Sequence, residues 1–137
     1  MLSKNLQFFL KLAKAQAVLN RRFDTGLAGL GLNEFIVMTH LTTAPGGRLR
    51  PMDLAEKIGL TPSGITRLLR PMEKVGYIRR ASDEHDARVS YVVLGSGGTE
   101  KYATALENAE HISEQLLGCE NNDETSSFSK LLDQISI

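Results

Sequence analysis

Between Ala55 and Ile65 the chain meets three demands at once, and together they leave few folds open. Two short helices crossing at a tight turn need a small residue at the crossing and a glycine where the backbone turns left-handed. They also need a branched apolar residue early in the second helix. Ala55, Gly59 and Ile65, at offsets of four and then six residues, supply them in that order. Thr61 follows as an N-cap and Pro62 suits the first helical position, while Gly76 is placed to stop the second helix. The stretch predicts a helix-turn-helix.

The second helix has two faces. Ile65, Leu68, Leu69 and Met72 follow helical spacing and point inward. Ser63, Arg67, Arg70 and Lys74, at i, i+4, i+7 and i+11, form an outward stripe flanked by Gly64 and Thr66. Small residues near the N-terminus let the backbone approach a phosphate, where exposed N–H groups and the helix dipole favour an anion. An arginine can bond a guanine edge with both arms, and a threonine can touch a thymine methyl or a phosphate. A charged stripe on an amphipathic helix is usually only a solvated face. Here it coincides with the turn spacing and the cap, and residues 62–80 hold five basic side chains (Arg67, Arg70, Lys74, Arg79, Arg80) against Glu73 alone. That combination points to DNA. Pro71 removes one backbone bond past the middle of the helix and predicts a bend there, leaving the N-terminal half free to dock.

Residues 78–82 and 89–94 predict a two-stranded hairpin with a polar tip, Asp83-Glu84-His85-Asp86-Ala87-Arg88. Asp86 and Arg88 stand two apart near that tip. A carboxylate so placed can hold a guanidinium extended toward a minor groove, where the potential is negative. Alone, such a pair means two solvated charges; just beyond a helix-turn-helix it is informative.

The order, spacing and DEHDAR segment resemble the MarR (multiple antibiotic resistance regulator) family of winged helix-turn-helix repressors. The resemblance covers essentially the whole chain and is densest over residues 51–94. Asp86 and Arg88 match the family's wing Asp-x-Arg, and Ser63, Thr66, Arg67 and Arg70 match its DNA-reading helix positions. One departure follows the second wing strand, where the family usually shows Leu-Thr-x-x-Gly. This chain has Leu94-Gly95-Ser96-Gly97-Gly98, so Ser96 or Thr99 becomes the expected cap of the next helix. The resemblance implies an effector that binds between the dimer helices and the DNA-binding lobe. It also implies redox-sensing members with a reactive cysteine near the N-terminus; residues 1–30 contain none.

A chain of 137 residues is one ordinary domain, and a long helical framework within it needs a partner chain for cover. No apolar run approaches the ~18 residues a membrane span requires. The N-terminal MLSKNLQFFLKLAKAQ lacks a plain apolar core leading to a small-residue cleavage site, so it reads as a helix of a cytoplasmic protein; a helix lying on a membrane surface is the alternative. Zero formal net charge sits oddly with DNA binding until it is divided along the chain. Residues 48–90 carry nine Lys/Arg against six Asp/Glu, and residues 99–137 carry two against eight. The local field matters more than the total. Cys119, the single cysteine, allows no intrachain disulfide and reads as a structural thiol.

In chain order, residues 3–22 predict a helix with two apolar stripes. Leu6, Phe9, Leu10, Ala13 and Ala17 form one, and Phe8, Leu12, Ala15 and Leu19 the other, which predicts burial on two sides, one against its own domain and the other against a second chain. Leu27 and Leu30 anchor a glycine-spaced connection. Asn33 is the expected cap of a helix to residue 44, with Phe35, Ile36, Met38 and Leu41 in the core and a loop at Pro45-Gly46-Gly47. Arg48 and Arg50 precede the motif as candidate phosphate contacts, more often merely solvated. A helix over 98–117 has Tyr102, Leu106, Ala109, Ile112 and Leu116 as its apolar face, residues 120–123 break it, and a last helix over 124–135 has Phe128, Leu131, Leu132 and Ile135 inside.

His40, His85 and His111 lack ligand spacing, no glycine loop has the context of a phosphate cradle, and no nucleophile has an identifiable base. The reading is therefore a mainly α (α+β) fold without enzymatic activity, cofactor or metal. It is a single domain, 1–137, with a winged helix-turn-helix lobe at 32–95 and dimerisation helices at 1–31 and 96–137. The expected function is a homodimeric, sequence-specific transcriptional regulator, a repressor on a pseudo-palindromic double-stranded operator, modulated by a small-molecule effector. Ser63, Gly64, Thr66, Arg67, Arg70, Lys74, Asp86 and Arg88 are the DNA-binding residues. A winged helix used only for protein–protein interaction is the alternative.

Overall fold

The computed structural model describes residues 1–118 and 123–136. Within them the chain runs α1 (Lys4–Asp24), α2 (Leu32–Thr43), β1 (Arg48–Leu49), α3 (Pro51–Ile58), α4 (Pro62–Lys74), β2 (Ile78–Ser82), β3 (Ser90–Leu94), α5 (Ser96–Leu117) and α6 (Asp123–Ile135). Cys119 lies outside the described residues.

The turn between α3 and α4 forms as its residues demand. Gly59 takes φ +85°, and its N–H and that of Leu60 both donate to the Ala55 carbonyl at 2.9 Å. Ala55 and Ile65 are 2% and 1% exposed at the crossing. Thr61 Oγ1 caps α4 by accepting from Gly64 N–H at 3.0 Å, and Gly76, at φ +84°, follows the helix end. The helix continues through Pro71 to Lys74.

The hairpin pairs Ile78 with Leu94 through Ser82 with Ser90, but it belongs to a three-stranded sheet. β1 adds to the free edge of β3, Arg48 opposite Val93 and Leu49 opposite Val92, giving the order β1-β3-β2. A strand of two residues cannot display an alternation, so β1 leaves no periodic signal.

Two caps also differ from expectation. α2 begins one residue before Asn33, with Gly31 at the cap position. Glu34 Oε1 accepts from Gly31 N–H at 2.8 Å, and Asp24 Oδ1 accepts from Leu32 N–H at 2.7 Å. Carboxylates from within and before the helix do the work assigned to Asn33. Likewise neither Ser96 nor Thr99 caps α5. Gly95 holds the cap position and its N–H donates to the Tyr77 carbonyl at 2.8 Å. A Cβ on Gly95 or Gly98 would overlap the Gly76 or Tyr77 carbonyl oxygen, so α5 starts where two backbones touch.

Between α1 and α2, Leu27 and Leu30 are both 0% exposed. Placing them requires Ala28 at φ +55°, the left-handed region, and Lys101 Nζ donates to its carbonyl. Burying each leucine contributes about 1.5–3 kcal/mol, which outweighs roughly 1–2 kcal/mol for a left-handed alanine.

In α2 the core positions are Val37, Met38 and Leu41; Phe35 packs at its edge, and Ile36 is only half-buried. In α5 they are Tyr102, Ala105, Ala109 and Ile112, with Leu106 at 38% and Leu116 at 44% exposure. The contact face is narrower than the apolar face, because it is set by the i, i+3, i+7, i+10 line that touches α2. Phe35 and Tyr102 stack there at 5.4 Å, and Tyr102 OH donates to Thr39 Oγ1 at 3.1 Å.

Of the two apolar stripes of α1, Phe8, Leu12 and Leu19 are half-buried within the chain, and the other stripe is exposed. No residue of α1 is buried, and Leu6, Phe9, Leu10 and Val18 are 40–53% exposed. In α6 the residues expected inside, Phe128, Leu131, Leu132 and Ile135, are 37–57% exposed within the single chain. Between α1 and α5 an open groove of about 660 Å³ is lined by Ala15, Val18, Leu19, Phe23 and Leu116, with Lys11 and Lys14 at its edge.

Candidate nucleic-acid interface

α4 presents its outward stripe as expected. Ser63, Thr66, Arg67, Arg70 and Lys74 are all exposed, while Ile65, Leu69 and Met72 hold the helix to the core. A shallow depression of about 460 Å³ lies among Pro62, Ser63, Thr66, Arg67 and Arg70. Arg67, Arg70 and Lys74 have no ion-pair partner among the described residues. Arg80 differs: its Nε lies 3.5 Å from Glu73 Oε2.

The helix N-terminus is less open than its small residues suggest. Pro62 has no N–H, Gly64 N–H is spent on Thr61 Oγ1, and Ile65 N–H on the Thr61 carbonyl at 2.9 Å. Only the Ser63 N–H remains for an anion. A side chain at position 64 would press on the capping hydroxyl, with Thr61 Oγ1 3.1 Å from a built Cβ. Gly64 thus protects the cap more than it admits a phosphate. Thr66 Oγ1 donates to the Pro62 carbonyl at 3.0 Å, leaving its methyl as the group for a base edge.

The wing tip is built by one aspartate that shapes the loop and another that holds an arginine. Asp83 Oδ2 accepts from the N–H groups of His85 and Asp86, each at 3.0 Å. Asp86 Oδ1 accepts from Arg88 N–H and Nε, both at 3.0 Å, and Asp86 Oδ2 from Nη2 at 3.2 Å. This forked pair leaves the Arg88 side chain 91% exposed. The Arg88 side chain, then its backbone N–H, and more weakly the charge of Arg50 hold the Asp86 carboxyl below the usual aspartate range, against slight desolvation. The pair is therefore ionised on both sides at neutral pH.

Tyr91 carries no motif and was not singled out by the sequence. Arg48 Cζ lies 4.1 Å and Arg50 Cζ 5.9 Å from the centroid of its ring. The register offers the only signal: Val92 faces the core, so its neighbour Tyr91 faces outward. His40 is half-buried, and partial burial, then Lys57, lowers its pKa, so it carries no charge at neutral pH.

Against known proteins, the MarR family model matches residues 28–89, the span from the buried Leu27–Leu30 turn region to the wing. Residues 28–89, a little under half of the chain, are thus similar to the MarR family. Its HTH-type relative PrsX of Escherichia coli, a transcriptional regulator, is 33% identical over 73 residues, 53% of this chain and 44% of that protein. The chain thus spans less than half the length of that relative. Sco3205, a MarR family transcriptional regulator from Streptomyces coelicolor solved in complex with DNA, superposes with TM-score 0.82 at 22% identity, over 98% of this chain and 87% of that one. The organohalide-sensing regulator RdhR-CbdbA1625, in its 2,4-dichlorophenol-bound form, gives TM-score 0.81 at 21% identity, over 98% and 80%. At such identities the likeness is one of fold. No helix among the described residues is long and apolar enough to cross a membrane.

Proposed function

We propose that this chain is a MarR-type, homodimeric, sequence-specific DNA-binding regulator that represses transcription from a pseudo-palindromic operator. The observation that carries the reading is the forked Asp86–Arg88 pair, which projects a guanidinium from the wing beside a helix whose three outward cations have no ion-pair partner among the described residues. Two copies of α4 would enter successive major grooves with half-sites about 34 Å apart. Arg67 and Arg70 meet base edges, Thr66 offers its methyl, Ser63 and Lys74 meet phosphates, and Gly64 keeps the cap intact. Arg88 enters the minor groove, aimed by Asp86. DNA binding by the similarly folded Sco3205 supports this assignment.

Pairing through α1, α5 and α6 accounts for their uncovered apolar side chains, and the acidic C-terminal segment then lies away from the duplex. The similarly folded RdhR-CbdbA1625, solved in its 2,4-dichlorophenol-bound form, supports a small-molecule effector. A cleft of about 290 Å³ links Asp24 and Glu34 at the α1–α2 junction to Arg67 and Pro71 on α4, which gives a bound molecule a route to the reading helix. Such a ligand acts only through unequal affinity for the DNA-competent and incompetent states.

Selection of bound sites from random duplexes, followed by titration on the selected and on scrambled DNA, tests the reading. Arg67→Ala is expected to lose about 1–3 kcal/mol of discrimination at one base position per half-site. Lys74→Ala is expected to weaken all sequences alike and to lower the salt slope by about 1 for each half-site. Equal losses on operator and scrambled DNA for both variants would overturn the division of roles. A monomer by light scattering at the binding concentration would overturn the paired arrangement.

A further inference from the structure

The outer face of the wing sheet carries a second group of cations. Strand alternation turns Leu49 and Val92 to the core and leaves Arg48, Val93 and Arg79 in one cross-strand row outside, with Tyr91 two residues along β3. Both Arg48 and Arg50 lie within the ~6 Å range over which an aromatic face attracts a guanidinium. Neither has a carboxylate within ion-pair distance among the described residues, in contrast to Arg80 and Arg88. Arg50 nevertheless acts on the Asp86 carboxylate, so this cluster adjoins the pair that carries Arg88.

Two like charges gathered on one ring repel each other, and a shared anion relieves that repulsion. Planar guanidinium forks suit a phosphate, and stacking on tyrosine holds them in place before it arrives. The minor groove is about 6 Å wide and walled by phosphates on both sides. A side chain inserted there brings its neighbours on the wing against one of those walls.

We propose that Arg48 and Arg50, held against Tyr91, grip the phosphate backbone bordering the minor groove that Arg88 enters. Tyr91 is the positioning residue of this grip, and Arg48 and Arg50 contact the DNA. The inference rests on the duplex-binding reading above and adds a contact surface outside the reading helix and the wing tip.

The test is a salt titration of binding to the selected duplex, by fluorescence anisotropy, with melting curves to confirm folding. Each phosphate contact contributes roughly 0.9 to the slope of log affinity against log salt. R48Q/R50Q is expected to reduce the slope by about 2 for each half-site and to weaken operator and scrambled DNA by the same factor, at least about tenfold at moderate salt. R48K/R50K keeps both charges and should retain most of the slope. Tyr91→Phe should bind like the wild type, whereas Tyr91→Leu should lose several-fold in affinity. A wild-type slope in a folded R48Q/R50Q would overturn the grip while leaving the duplex reading intact. A wild-type protein that binds no duplex would overturn the duplex reading itself. Equal binding by Tyr91→Phe and Tyr91→Leu would remove the positioning role from Tyr91.

Discussion

Gly98→Ala is expected to destabilise the fold by roughly 3 kcal/mol and to lower the melting temperature by on the order of 10 °C. Residue 98 lies in the first turn of α5 and is buried against the loop that leaves α4. An added methyl meets the Tyr77 carbonyl, with the Tyr77 carbonyl carbon 3.0 Å and its Cα 3.3 Å away. Backbone cannot rotate aside as a flexible side chain can, and the same carbonyl already accepts from Gly95 N–H at 2.8 Å. Relief therefore requires α5 to lift from the start of β2, at the cost of packing around Tyr102 and Ala105. Gly97 supplies the control. A Cβ there would lie 3.5 Å from the Gly76 carbonyl oxygen, an ordinary contact, and the position is exposed. Gly97→Ala should be neutral or stabilising by up to about 1 kcal/mol through helix propensity. Thermal and urea denaturation of the two variants measures the difference; similar stabilities would show that α5 is not pinned at this crossing.

This crossing also shows where the sequence could be read and where it could not. Ala55, Gly59, Ile65 and Thr61 are local requirements of one turn, met by residues within eleven positions of one another, so their spacing alone exposed the motif. Asp86 and Arg88 were legible for the same reason, since a two-residue separation lets one carboxylate bind both the backbone and the side chain of its neighbour. What the sequence hid depends on distant partners. Gly95 caps α5 because the Tyr77 carbonyl approaches from another element, while Ser96 and Thr99 are the stronger local candidates. Asn33 lost the α2 cap to Asp24, eight residues before the N–H it serves. Strand β1 is defined only by its pairing with β3, and Tyr91 gains interest only once β1 sets Arg48 and Arg50 beside it. Leu106, Leu116 and the apolar residues of α1 and α6 have helical periodicity without burial in the single chain. Periodicity reports that a face is apolar; it does not report which molecule covers it.

At the wing, Asp86→Asn and Arg88→Ala are expected to weaken operator binding for opposite electrostatic reasons, which makes the pair diagnostic. Arg88→Ala removes a cation from the minor groove. Operator affinity should fall by roughly ten- to a hundredfold, with the salt slope smaller by about 1 for each half-site. Asp86→Asn leaves the arginine in place and makes each chain more positive, so simple attraction to phosphate predicts tighter binding. Positioning predicts the reverse for the operator. Without its forked partner, Arg88 must be ordered at the moment of binding, and immobilising one long side chain costs about three- to tenfold in affinity. Scrambled duplex, bound mainly through charge, should be held as well as before or better. The pH dependence follows from the same contact. Asp86 has its carboxyl lowered by Arg88, so its contribution to the folded wing is present above the ordinary aspartate value and is lost only as pH falls through the lowered one. Wild-type operator affinity between pH 5 and 8 should therefore carry no transition from this residue. Anisotropy titrations on operator and scrambled DNA, at several salt concentrations and across that pH range, measure all of these. Tighter operator binding by Asp86→Asn at every salt concentration would mean that the carboxylate merely dilutes the charge of the wing instead of aiming it.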